Sequence, residues 1–167
     1  MKMLLLIAAV VAGGWYWFIG GRQISEADVQ AHYNQSLTWM DDMNQKAFCD
    51  ALDEKYSGKS VSITAAGRFE ETADKKTACE STEKLFATVK MMNEKVGGGV
   101  VTNYAVDIQS TEISADKKTA TVKEKSVLKI GRENQLMLKF STQSTETFVK
   151  RNGKLLSLRS DAQIVVE

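Results

Sequence analysis

Proline is absent from this chain, histidine occurs once and cysteine twice. With a single imidazole and two distant thiols no metal-ligand cluster can be assembled, and Asp41-Asp42 lacks the spacing of an oxygen-ligand loop. No metal and no cofactor is expected. Charge of one sign is missing too: setting Lys2 aside, the 22 basic residues become 21 against 21 acidic ones, so no net field attracts nucleic acid or anionic lipid. Nucleic-acid binding is not expected. Without proline no linker is marked along the chain, and the stretch from Gly20 to Ser25 is the one apparent tether.

What is present begins with an uncharged run from Met3 to Gly21, preceded by Lys2 and ending in Trp15-Tyr16-Trp17-Phe18. A membrane helix needs on the order of 20 apolar residues to cross the hydrocarbon, and this run just suffices. Aromatic rings prefer the headgroup level, so Trp15, Tyr16, Trp17 and Phe18 are placed at the outer interface of a single span. Residues 1–22 therefore read as a retained anchor, with the N-terminus inside and residues 23–167 exported to the periplasmic or extracellular side of a bacterial inner membrane. A cleaved signal peptide is the alternative; Ala12-Gly13-Gly14 is the candidate site, and cleavage would release a secreted domain. About 145 residues remain after the run, the size of one domain with its own core.

Cys49 and Cys79 form an even pair in a chain expected to reach an oxidising space, and a disulfide between them is the expectation. Two buried thiols are the alternative. A redox-active pair would want a C-x-x-C, which is missing.

Ser25 with Asp28 three residues on makes a capping-box-like helix start. Val29, Tyr33, Leu37, Met40, Phe48 and Leu52 continue one apolar stripe, predicting two helices or one kinked helix from Ser25 to about Tyr56. From Ser60 the period becomes two through Val61, Ile63, Ala65, Gly67 and Phe69, which predicts a strand. A further helix follows, capped by Thr72 or Asp74, with Cys79, Thr82, Phe86, Val89 and Met92 on one face, and Gly97-Gly98-Gly99 stops it. Those glycines follow the helix, whereas a phosphate cradle needs them before one. Four alternating segments complete the chain: Val100 to Ile113, Thr119 to Ile130, Gln135 to Lys150 and Leu155 to Val166. They predict an antiparallel meander, with Asn152-Gly153 as a type I′ hairpin turn.

A two-residue loop there pairs Val149 with Leu156, Phe148 with Ser157 and Glu146 with Arg159. The apolar parities of the two strands then disagree, so a bulge and a bend are expected within Gln135 to Lys150.

Helices first, a strand, another helix and a curling four-stranded meander resemble the cone-shaped fold of the nuclear transport factor 2-like superfamily over Ser25 to Glu167. The resemblance is one of element order and implies an α+β domain whose sheet wraps the helices around a pocket. It implies either a small-ligand binder or isomerase/dehydratase, or a non-catalytic module such as the membrane-anchored assembly factors of type IV secretion systems. A cystatin-like sheet domain is the alternative architecture.

Candidate pocket residues are few. Glu124 is an acid at a core parity between Val122 and Leu128, where it needs a partner or must stay neutral. His32 on the first helix, and Tyr104 with Asp107, complete the set. None forms a catalytic spacing, so the expected function is a membrane-tethered, exported interaction or assembly module with protein partners in the envelope. A pocket protein holding a small ligand near Glu124 or His32 is the alternative.

Overall fold

The computed structural model describes residues 20–132 and 135–167. The predicted span from Met3, with Trp15, Tyr16, Trp17 and Phe18, lies outside them except for Gly20 and Gly21. Among the described residues no helix is long and apolar enough to cross a membrane.

After a 3-10 turn at Gly20–Arg22 comes helix α1 (Glu26–Asp41), opened by the full capping box. The Ser25 hydroxyl accepts from the Asp28 backbone N–H, and the Asp28 carboxylate accepts from the Ser25 backbone. A short helix α2 (Gln45–Asp50) follows Asn44 as its N-cap. The predicted helical stripe ends there. Leu52 to Tyr56, expected to be helical, instead begins strand β1 (Leu52–Thr64), which turns at Ala65-Ala66 into β2 (Gly67–Asp74). One predicted strand is thus a hairpin. Asp74 caps helix α3 (Lys75–Lys95), accepting from the Thr77 N–H at 2.8 Å, and the three glycines at positive φ end it. Strands β3 (Val100–Ile113), β4 (Thr119–Arg132), β5 (Gln135–Arg151) and β6 (Lys154–Val166) form the meander. Asn152 and Gly153 turn the last hairpin at φ 52° and 78°, as a type I′ turn requires.

The sheet has six strands, the predicted four-stranded meander with the β1–β2 hairpin added, in the order β2-β1-β6-β5-β4-β3. It is also mixed, because β1 lies parallel to β6 while every other pair is antiparallel. Three strands carry an extra residue against a neighbour: Gln109 in β3, Met137 in β5 and Leu158 in β6. Each insertion bends its strand and raises the local twist, so the sheet curls around α1 and α3. β5 has a bulge within the predicted span, at Met137, but it lies against β4 and outside the ladder with β6 that it was expected to correct; it turns Leu136 outward, where that side chain is 57% exposed. The disagreement between the last two strands is resolved by Leu158 in the partner strand. That insertion shifts the ladder by one, so Arg159 faces Thr147 and Glu146 faces Ser160.

Two apolar clusters lie on the concave face. Ile24, Val29, Tyr33, Ala120, Val122 and Phe148 form the first. Val89, Leu128 and Ile130 form the second, wrapped by Met40, Met43 and Met92. Cys49 and Cys79 are joined as a disulfide, which ties α2 to α3. Lys150 and Asp28, half-buried and 2.8 Å apart, tie β5 to α1, while Arg151 binds the fully buried Asp53 of β1.

Candidate functional site

Alternation along β4 sends Ala120, Val122, Glu124, Ser126, Leu128 and Ile130 inward. The two middle residues of that row are polar. In register with them on β5 stand Glu146, Ser144 and Thr142, facing Val122, Glu124 and Ser126 in turn. The two apolar clusters are therefore separated by a polar belt across the floor of the cone. Tyr33 reaches it from α1, Tyr104 from β3 and Tyr56 from β1.

Within the belt the Ser144 hydroxyl donates to Glu124 Oε1 at 2.8 Å. The second oxygen, Oε2, is buried with no partner. Tyr33 Oη lies 3.5 Å from Glu146 Oε2. Tyr56 lies over Gly58, where even a Cβ would come within 2.8 Å of its hydroxyl. Glu124 is buried, but Glu146 and its inward neighbours Thr142, Ser160, Ala162 and Ile164 are half-buried. The belt is buried along β4 and half-buried toward β6.

Electrostatics follow from that placement. Burial raises the Glu124 carboxyl above the ordinary range, against the Ser144 hydrogen bond and the nearby Tyr33 hydroxyl, whose hydrogen bond goes to Glu146. Burial and then the charge of Glu124 push Glu146 up to about 8, with the Tyr33 hydroxyl opposing. Both effects disfavour two adjacent anions in a low-dielectric site. Tyr33 and Tyr104 are pushed up by burial and then by the neighbouring glutamates, and Tyr56 reaches about 12. Near neutral pH the belt thus holds Glu146 mainly as an acid, beside a carboxyl with an unmet acceptor and three phenolic donors. Such a set can grip a hydroxyl or carbonyl and pass a proton across it.

No family model and no curated protein matches this sequence. Solved structures do match. ActVI-ORFA from Streptomyces coelicolor superimposes with a TM-score of 0.62 at 11% identity, covering 83% of this chain and 93% of that one. A putative scytalone dehydratase from Novosphingobium aromaticivorans gives 0.59 at 12%, covering 85% of each. An NTF-2 like protein of unknown function from Silicibacter pomeroyi gives 0.51 at 11%, covering 83% and 93%. This chain has the nuclear transport factor 2-like fold. At these identities the likeness fixes the fold alone.

The NTF2-like cone brings together only two of the four residues singled out from the sequence. Glu124 and Tyr104 share the belt. Asp107 does not: it is exposed on the convex face opposite Lys125, where Gln109 donates to it. His32 faces a separate cleft between α1, α2 and the β5–β6 turn. Glu146 was expected to pair with Arg159, but Arg159 binds Asp161 at the surface and Glu146 points inward. Its signal was legible: it shares the parity of Phe140 and Phe148, as Glu124 shares that of Val122 and Leu128. Tyr33 and Tyr56 carried no such signal, because a stripe tyrosine and a helix-end tyrosine look the same as core.

Proposed function

We propose that this chain is a small-ligand pocket protein whose polar belt binds, and transfers a proton on, a compound carrying a hydroxyl or carbonyl group. The observation that carries the reading is the orphaned, buried Oε2 of Glu124 beside the half-buried Glu146. An unpaired buried acceptor costs about 1–3 kcal/mol, which a ligand hydroxyl would offset by donating to it. Glu146, protonated near neutral pH, supplies the complementary donor. The putative dehydratase among the structural neighbours is consistent with this chemistry.

The test is ligand-observed NMR with a panel of phenolic ketone fragments. Binding should weaken at least tenfold in Glu124→Gln and in Glu146→Gln and persist in Asp107→Asn. Equal binding by all four proteins would sink the reading.

The same proposal keeps the pocket outside the cytoplasm, tethered through residues 3–21 or secreted after cleavage. Its support is the apolar run and the Cys49–Cys79 bond, which belongs to an oxidising compartment. Alkaline carbonate extraction of membranes separates the outcomes: a retained anchor stays in the pellet, and a cleaved domain does not. The envelope-partner module expected from the sequence stands or falls with the pellet result.

A further inference from the structure

We infer that the chain carries a second small-molecule site, in the cleft around His32, built for a planar aromatic carboxylate. The cleft has a volume of about 460 Å³, within the ordinary range of ligand pockets, and its walls include His32, Gln35, Trp39, Ala47, Leu155 and Leu156. His32 and Trp39 of α1, set edge-to-face to each other, stand among its walls with the aliphatic Leu155 and Leu156 of β6.

His32 is locked in place by edge-to-face contacts with Tyr33, Trp39 and Phe148, at ring-centroid distances of 5.9, 5.5 and 4.9 Å. Burial alone lowers its pKa to about 4, with no hydrogen bond or charged neighbour contributing, so the ring is neutral and keeps an N–H to donate. Gln35 offers a second neutral donor on the same wall.

Charge at the rim selects the sign of the ligand. Two carboxylates lie there, Asp28 and Asp50, and each is already bound: Asp28 by Lys150 and Asp50 by Lys46. Lys154 also lines the cleft and forms no ion pair among the described residues. Counting Lys46 and Lys150, which neutralise the two carboxylates from outside the lining, the group of charges is one positive in excess. Apolar walls with neutral donors and the Lys154 ammonium, which acts on Asp50 by charge but forms no ion pair among the described residues, fit a monoanionic aromatic acid better than a neutral ring or a cation.

Phe148, fully buried, packs against both His32 and Tyr33, which also touch each other, so a cluster of three rings stands between this cleft and the belt. No residue of the belt lines the cleft, so the two sites are distinct. Isothermal titration of 2-naphthoate into the full chain tests the inference. Binding should weaken at least fivefold in Lys154→Gln, an exposed position whose substitution leaves the fold intact, and at least tenfold when uncharged 2-naphthamide replaces the acid. Glu146→Gln should leave it unchanged. Equal affinity for acid and amide, no binding of 2-naphthoate, or loss in Glu146→Gln with Lys154→Gln unaffected, overturns the assignment.

Discussion

Replacing Glu146 by Gln keeps the side chain's size and an acceptor for Tyr33 while removing its charge, and the consequence for stability depends on pH. In the folded chain Glu146 holds its proton up to about pH 8; unfolded, it releases it near its ordinary 4.5. Between those limits the folded state binds more protons, so stability falls as pH rises and is fully recovered below 4.5. At about 1.4 kcal/mol per pH unit the ceiling is about 5 kcal/mol. Partial exposure of the side chain and its coupling to Glu124 reduce this, and about 2–3 kcal/mol is expected between pH 5 and pH 8. Groups with depressed values, such as Asp28 and Asp53, lose their contribution only as pH falls through the carboxylate range, outside this window. Urea denaturation followed by circular dichroism provides the measurement. Glu146→Gln should match the parent at pH 5 and exceed it by about 2–3 kcal/mol at pH 8. An offset that is the same at both pH values, or a variant less stable at pH 8, would refute the buried-acid argument.

Removing the disulfide through Cys49→Ser with Cys79→Ser should lower stability by about 3–4 kcal/mol for its loop of roughly thirty residues, read by thermal denaturation. Ellman titration of the denatured, unreduced protein should find no thiols, and two after reduction. Gly131→Ala places a Cβ 2.4 Å from the Gln135 carbonyl oxygen, so backbone must move, and a loss above about 2 kcal/mol in chemical denaturation is expected. Gly58→Ala should cost less than Gly131→Ala, since what it meets is the tip of the Tyr56 side chain. Phe148→Ala empties the centre of the first cluster and should cost about 3–5 kcal/mol by the same measurement.

How much of this was readable along the chain differs between local and distant features. The capping box at Ser25, the cap at Asp74, the helix stop at Gly97 and the hairpin at Asn152 all follow from side-chain chemistry within four residues. The last four strands appear close to their predicted bounds for the same reason, since alternation is a local signal. Leu52 to Tyr56 was misassigned because the four-residue step from Phe48 to Leu52 extends a helical stripe that the chain abandons at Ala51. The β1–β2 hairpin stayed hidden because Ala65-Ala66 is not a turn signal. Half of the site was legible, through Glu124 and Tyr104.

Ala-Asp-Lys-Lys-Thr-Ala makes the distinction concrete: at Ala73 to Ala78 it leads from β2 into α3, and at Ala115 to Ala120 it leads from a turn into β4. The sequence by itself determined the element order, the polarity of each face, the caps and turns, and that an acid would sit at a core position. Tertiary structure alone decided that β1 runs parallel to β6, that Leu158 shifts the final ladder by one residue so that Glu146 faces Ser160 and not Arg159, and that His32 turns away from the belt. Caps and alternation are set between near neighbours, whereas a bulge reverses every side chain beyond it and a parallel pairing joins residues a hundred apart.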